Sequence, residues 1–239
     1  MISGLIKRVA AEWALHHHNK QNRRGVVSPD AQEYFVIPEA LPAAVFQEAL
    51  KELEVLNANW VRSHTDWRQG AAIGGHELRA GSQSIWLDYL MSDDFLIKVR
   101  RATGINDLQY VPVADTNRLS LLLYEGAGDG IDWHVDGSIY LGQRWAGILV
   151  LLEETSETQA KLELAPGEEP VTLPKAGIEN SLVLFRGDHV RHRVRPMRED
   201  ERRVVVSLLF TNWPQRTMNP FLLRYQSRVN SVFYNNPRP

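Results

Sequence analysis

Apolar positions in the first half of the chain recur at helical spacing. Apolar residues within 42–56 predict a helix, and Pro42 suits the first turn of that helix. The apolar positions are Val45, Phe46, Ala49, Leu50, Leu53 and Leu56. A second helix is predicted over 93–103, where Ser92 can cap the start and Gly104 can end it. Acidic residues open this stretch and arginines close it, which suits the dipole of a helix.

The pattern changes beyond residue 115, where short apolar runs alternate with Gly, Pro and Asp clusters. Their length and their many β-branched residues favour strands over helices. The runs that carry this pattern are 118–124, 146–152, 161–165, 181–185 and 202–210. Several short strands separated by turn signals predict a sandwich or a barrel.

This order of elements predicts one mainly β domain of α+β type, with helices at its N-terminal end. We expect mostly helical support over 1–115, the β core over 116–213 and an extension over 214–239. Within the first part, residues 1–15 predict a short helix. The polar stretch 16–30 predicts a linker or mobile loop.

Composition narrows the chemistry. The 239 residues include no Cys, which excludes disulfides, thiolate zinc sites and a cysteine nucleophile, so any metal must sit on His, Asp or Glu. Lys and Arg total 27 against 29 Asp and Glu, a net charge of −2 that argues against a nucleic-acid partner. Charged residues interrupt the apolar N-terminus, and no apolar stretch is long enough to span a membrane. We therefore expect a cytoplasmic protein.

The segment 131–137, IDWHVDG, contains the first candidate metal ligands. His134 and Asp136 are two positions apart, and on a strand this spacing directs both side chains to one face. A neutral imidazole beside a carboxylate can bind a divalent metal. The alternative is a surface strand with a hydrogen-bonded pair, since His-x-Asp is common by chance.

The wider context resembles the 2-oxoglutarate/Fe(II) oxygenases of the prolyl-hydroxylase type. The resemblance covers about residues 117–213 and rests on LLLYEGAGDGIDWHVDG, SLVLF, HRVRP and ERRVVVSLLF, in that order. It implies a double-stranded β-helix, a jelly-roll or cupin-like barrel. It also implies Fe(II) as the cofactor, with 2-oxoglutarate and O2 as cosubstrates.

The resemblance also implies roles for individual residues. His134, Asp136 and His192 correspond to the iron ligands, with His189 as a less favoured rival to His192. Residues implied to contact 2-oxoglutarate are Tyr124, Asn117 and one of two adjacent arginines, with Arg202 preferred to Arg203. The alternatives are a barrel-lining tyrosine and a solvated arginine at a strand start.

Other features carry weaker expectations. Residues 186–203 contain seven arginines and four acidic residues, which gives a formal net charge of +3. This charge indicates either a positive rim around the site or a solvated edge strand and loop. Trp133 should face away from His134 and pack in the core, and Trp213 should line the mouth or pack. The histidines at 16–18 are expected to form a polar helix end.

The chain departs from the family where TSETQAKLELAP replaces an expected Gly-Gly. Asp136 argues against the halogenase branch, and the lack of a second downstream arginine argues against the AlkB type. The resemblance implies a hydroxylase. Because no extended peptide-binding region or repeat is evident, we expect it to act on a small molecule or amino acid, with specificity in 60–90, 137–145 and 153–160. The alternatives are a cupin-like isomerase or dioxygenase that needs no 2-oxoglutarate, and a non-catalytic binding module.

Overall fold

The computed structural model describes residues 2–22, 33–56, 60–80 and 84–234. Its helices are α1 (Ile2–Asn22), α2 (Ala43–Val55), α3 (Gly75–Ala80), α4 (Ile85–Leu90), α5 (Asp93–Thr103) and α6 (Pro220–Tyr234). The first strands are β1 (Tyr34–Ile37), β2 (Val61–Thr65), β3 (Arg68–Gly74), β4 (Gln109–Tyr110), β5 (Leu119–Glu125) and β6 (Gly130–His134). The later ones are β7 (Arg144–Glu154), β8 (Gln159–Ala165), β9 (Val171–Pro174), β10 (Leu182–Arg186), β11 (Arg191–Val194) and β12 (Arg202–Thr211).

Antiparallel pairing joins the strands into one curled sheet. Their spatial order is β1-β10-β7-β12-β5-β3-β6-β11-β8-β9, with β2 added to β3 and β4 added to β12. This half-barrel with flanking helices is consistent with a double-stranded β-helix, so the predicted fold class is confirmed.

The alternating side chains of the strands divide the core in two. On β12, Val204 and Val206 join the cluster that packs against α2, α4 and α5. Val205 belongs instead to the cluster inside the curled sheet, with Tyr124 of β5 and Phe185 of β10. Strand β12 thus presents one face to the helices and the other to the barrel interior, as its period of two requires.

Helix α5 confirms the prediction made from its caps. The Ser92 hydroxyl accepts a hydrogen bond from the Phe95 amide at 3.2 Å, and Gly104 ends the helix with φ at 73°. Glycine adopts this left-handed geometry without steric cost.

The predicted organisation of the first 115 residues is wrong at the end of the first helix and lacks four strands. Helix α1 continues to Asn22, so residues 16–22 are helical; the rest of the predicted linker lies outside the described residues. The described part of this segment also contains four strands that were not predicted, β1, β2, β3 and β4, beside its five helices. Strand β3 was not predicted because its sequence, RQGAAIG, contains few large apolar residues. Pairing with β2 and β5 stabilises this strand.

Contacts near both of its ends hold α1 against the barrel. His18 pairs with Asp188 at 3.4 Å, and the Arg8 guanidinium donates to the Arg216 carbonyl at 3.4 Å. Among the helices of the described ranges, none is both long enough and apolar enough to cross a membrane.

Candidate active site

Three side chains converge inside the barrel mouth. His134 is the last residue of β6, Asp136 follows two positions later, and His192 of β11 is the register partner of His134. Oδ1 of Asp136 lies 3.9 Å from Nε2 of His134 and 4.0 Å from Nε2 of His192. One potential ligand atom from each residue lies within 4.8 Å of the others, so the structure brings the predicted triad together.

Hydrogen bonds to the backbone orient both imidazoles. Nδ1 of His134 lies 2.7 Å from the Asp132 carbonyl, and Nδ1 of His192 lies 2.9 Å from the Val190 carbonyl. Because a carbonyl only accepts, each Nδ1 must carry the proton, which leaves Nε2 with a free lone pair. Two such nitrogens beside one carboxylate fit the donor set of a non-haem Fe(II) site.

The charge states of the buried ligands suit metal binding. Burial lowers the pKa of His192 to about 4, and neighbouring His134 adds to this effect, so the ring is neutral at pH 7. Burial alone would raise the pKa of Asp136, but Arg144, His192 and His134 together outweigh burial and lower it. A neutral imidazole and an ionised carboxylate are the forms that bind a metal.

Arg144 and Gly187 position the carboxylate of Asp136. Nε of Arg144 donates to Oδ2 of Asp136 at 3.2 Å, and the Asp136 amide donates to the Gly187 carbonyl at 2.7 Å. A Cβ atom at Gly187 would stand 2.4 Å from Oδ2 of Asp136, so only glycine fits there without moving the carboxylate. Neither residue was identified from the sequence, because both contacts depend on the fold.

A cavity of about 340 Å³ opens beside the triad. Its apolar lining comes from the inner face of the barrel and from α6 and includes Leu122, Ile131, Leu162, Phe185, Val194 and Phe233. Its polar lining includes Arg68, Asn117, Tyr124, Arg144, Arg203, Ser207 and Gln226.

The structure reverses the predicted preference between the two arginines. Arg203 lies on the inner face of β12, lines the cavity and is 1% exposed. Arg202 is outside the cavity lining; its side chain is 42% exposed and lies 3.9 Å from Glu125. Spacing from His192 does not reveal which residue of the pair faces inward, and the structure places Arg203, not Arg202, at the cavity.

Arg203 is held by a buried ion pair. Its Nε donates to Oε2 of Glu153 at 2.6 Å, and both side chains are almost fully covered. Its Nη2 has no hydrogen-bond partner in the described part of the chain. The guanidinium carbon lies 5.8 Å from the ring centroid of Tyr124, which is itself buried at the cavity. Arg203 and Tyr124 therefore form one polar wall.

Asn117 lines the cavity, but it is not the first residue of a strand, and that part of the prediction is wrong. It lies in a short 3-10 turn, Thr116–Arg118, that precedes β5. Its amide donates to Asp115 Oδ1 at 2.9 Å and to Asn230 Oδ1 at 3.0 Å. These contacts link the barrel wall to α6.

Helix α6 was predicted only as part of an extension, yet it covers the cavity. Its buried polar residues Gln226, Asn230 and Tyr234 recur every four positions and therefore lie on one face. This spacing was the available sequence signal. The hydrogen bond between Tyr234 and Ser120 at 3.1 Å fixes that face against the barrel, while Gln226 donates to Asn230 at 2.9 Å within the helix.

The remaining aromatic and basic predictions have mixed outcomes. Trp133 is half-buried and lies beneath Arg193, at 4.8 Å, and Arg191, at 5.4 Å, so the expected core packing is wrong. Arg193 also pairs with Glu163 at 2.6 Å. Acids on neighbouring strands thus balance part of the positive run, and β11 lies between β6 and β8 in the sheet, so the expected edge strand is wrong.

Two other histidines are not part of the triad. His189 contacts Glu33 through Nδ1, which agrees with the preference for His192 as the ligand. Of the three histidines at 16–18, His18 has a structural role, because it pairs with Asp188 and holds α1 against the barrel. Trp213 is half-buried and is not part of the cavity lining described above.

Neither a family model nor a curated protein matches the sequence. Solved structures do match the fold. The non-heme alpha ketoglutarate dependent epimerase SnoN from nogalamycin biosynthesis superposes with a TM-score of 0.59 at 17% identity, covering 87% of this chain and 86% of SnoN. SnoN is also known in complex with Fe3+, alpha ketoglutarate and nogalamycin RO.

Two bacterial proteins show the same architecture. A Pseudomonas putida prolyl-4-hydroxylase gives a TM-score of 0.56 at 15% identity, covering 75% of this chain and 92% of its own. A 2OG-Fe(II) oxygenase family oxidoreductase from Burkholderia pseudomallei gives 0.57 at 12% identity, covering 86% and 94%. At these identities the likeness establishes the fold, which is the one that these oxygenases share.

Proposed function

We propose that the chain is an Fe(II)- and 2-oxoglutarate-dependent oxygenase that hydroxylates a C–H bond of a small molecule or amino-acid-type substrate. The observation that carries this proposal is the triad of His134, Asp136 and His192, which shares one cavity with Arg203 and Tyr124. A metal site alone would fit many reactions. A buried arginine in the same cavity adds a specific feature, because its Nη2, which has no hydrogen-bond partner among the described residues, can donate to a carboxylate.

The chain's residues divide the task. His134, Asp136 and His192 would hold iron, while Arg144 keeps the carboxylate of Asp136 ionised and in place. Nη2 of Arg203 would donate to the distal carboxylate of 2-oxoglutarate. When bound, iron with 2-oxoglutarate and O2 supplies the oxidant for the C–H bond, and 2-oxoglutarate is decarboxylated to succinate and CO2.

Tyr124 and Asn117 would complete the cosubstrate contacts. Both line the cavity, and Tyr124 lies beside Arg203. The apolar wall formed by Leu122, Ile131 and Val194 would limit the access of water to the reacting groups. A dry, preorganised site strengthens each of these polar contacts.

A small substrate is supported by the size of the cavity, since about 340 Å³ must hold both cosubstrate and substrate. Structures of the same fold include both a hydroxylase and an epimerase. Of these two activities, we propose hydroxylation. We also propose a cytoplasmic location. The net charge of −2 supports a partner other than nucleic acid.

The test adds Fe(II) and then 2-oxoglutarate to metal-free protein without oxygen. We expect the visible charge-transfer band of an iron–keto-acid complex, followed by succinate release once oxygen and substrate are supplied. His134→Ala should lose the band, whereas His189→Ala, which alters a nearby histidine outside the triad, should keep it.

Each other outcome points to an alternative. Iron binding without the band would refute the use of 2-oxoglutarate and favour a cupin-like isomerase or dioxygenase that needs no cosubstrate. If carefully reconstituted protein binds no iron, the catalytic proposal fails and a binding module is favoured.

A further inference from the structure

Arg68 is a buried cation that the proposed chemistry does not use. It is the first residue of β3, it lines the cavity, and it is only 2% exposed. Its guanidinium carbon lies 3.9 Å from the ring centroid of Phe233 on α6. The neighbouring Trp67 contacts the rings of both Phe233 and His134, at centroid distances of 5.4 and 6.5 Å. Arg68 therefore lies on the α6 side of the triad.

The Arg68 guanidinium is only partly satisfied by protein. Nη1 donates to Oγ of Ser63 at 2.7 Å. Nε and Nη2 are buried and have no hydrogen-bond partner among the residues that the structure describes. Nε and Nη2 form the edge of an arginine that can donate two parallel hydrogen bonds to a carboxylate. Stacking on Phe233 covers a face of the guanidinium, not this edge.

A charge count shows that this edge is not needed for the cosubstrate. Arg144 is paired with Asp136, and Arg203 is paired with Glu153. The two charges of Fe(II) balance the two of 2-oxoglutarate. Asp132 also lines the cavity, but its side chain is exposed to solvent. Among the cavity-lining residues that the structure describes, the buried positive charge of Arg68 is left to be balanced. An uncompensated buried charge is costly.

We propose that Arg68 binds the carboxylate of the substrate, which is a small organic monoanion with an apolar body. Phe233 and Trp67 line the approach to that carboxylate, and the apolar barrel wall accommodates the rest of the molecule. This inference rests on the proposed function and deepens it by naming the substrate class and the residue that selects it.

The experiment compares N-acetyl-L-valine, N-acetyl-L-leucine and N-acetyl-L-proline with their primary amides. Binding is measured by calorimetry to metal-free protein and to the anaerobic complex with Fe(II) and 2-oxoglutarate. We expect at least one acid to bind about 10-fold or more tightly than its amide, as a charge-assisted contact predicts. Arg68→Gln should abolish this preference.

Two readouts separate Arg68 from other roles. The matched control is Arg62→Gln on the same hairpin, where Arg62 pairs with Asp129 and is not part of the cavity lining; it should keep the preference. Arg68→Gln should leave 2-oxoglutarate affinity, read from the charge-transfer band, unchanged. If Arg68→Gln does not fold, Arg68→Lys keeps a charge but loses the fork, and the preference should fall several-fold.

Three results would overturn the inference: no acid preferred over its amide in the wild type, an unchanged preference in the folded Arg68 variants, or loss of 2-oxoglutarate binding in Arg68→Gln. Failure of the proposed function is a different result. In that case the wild type forms no charge-transfer band, while metal-free protein still shows an acid preference that depends on Arg68.

Discussion

Arg203 and Arg202 form a natural pair of test and control, because they are adjacent on β12 yet face opposite sides. We predict that Arg203→Gln weakens 2-oxoglutarate binding and destabilises the protein, whereas Arg202→Gln does neither. Arg203 is 1% exposed and bonded to Glu153 at 2.6 Å, while the side chains of Arg202 and Glu125 are 42% and 56% exposed.

The magnitudes follow from burial. Removing Arg203 leaves the carboxylate of Glu153 buried and unpaired, which costs about 3–5 kcal/mol of unfolding free energy. Loss of a charge-assisted contact to the 2-oxoglutarate carboxylate costs about 1.5–3 kcal/mol, or roughly 10- to 150-fold in Kd. Arg202→Gln should change stability by less than about 0.5 kcal/mol, since its ion pair is solvated.

The double variant Glu153→Gln/Arg203→Gln separates the two effects. It should recover most of the lost stability, because no unpaired charge stays buried, but it should not recover 2-oxoglutarate affinity. Stability is measured by urea unfolding, and affinity by anaerobic titration of the charge-transfer band. Wild-type affinity in a folded Arg203→Gln variant, or a tenfold loss in Arg202→Gln, would refute the assignment of the anchor.

Two further predictions concern the metal site and the attachment of α1. Gly187→Ala places a Cβ 2.4 Å from the Asp136 carboxylate and should weaken iron binding at least about tenfold. The control Gly167→Ala, whose Cβ would have nothing within 4 Å, should bind iron as the wild type does. Equal iron affinities of the two variants in a metal titration would contradict this prediction. The hydrogen bond to Asp188 raises the pKa of His18, so His18→Ala should lower the melting temperature most where His18 is protonated in the folded state. This stabilisation is complete below the unfolded pKa of about 6.5 and is lost as pH rises through the raised folded value; a difference that grows with pH would disprove the pairing. Burial alone would raise the pKa of Asp188, but the hydrogen bond from His18, the nearby Arg186 and the charge of His18 together lower it. The contribution of ionised Asp188 to folding stability is therefore lost as pH falls through that lowered value.

Local patterns were sufficient for several elements and for bringing two of the three candidate metal ligands together. Ser92 and Gly104 mark the ends of α5 because capping depends on a few neighbouring residues. The two-residue spacing of His134 and Asp136 places them together because strand side chains alternate over short distances. His192 required the resemblance to a known family, since nothing local connects it to a strand more than fifty residues away.

Only the tertiary structure decided the rest of the site. The choice between Arg203 and Arg202 depends on which face of β12 the curled sheet turns inward, and the spacing along the chain does not contain that information. Strand β3 and helix α6 meet at Arg68 and Phe233 only when the barrel closes. Periodicity within the sequence thus determined which residues share a face, while the long-range pairing of strands determined where each face points, because burial is a property of the assembled sheet.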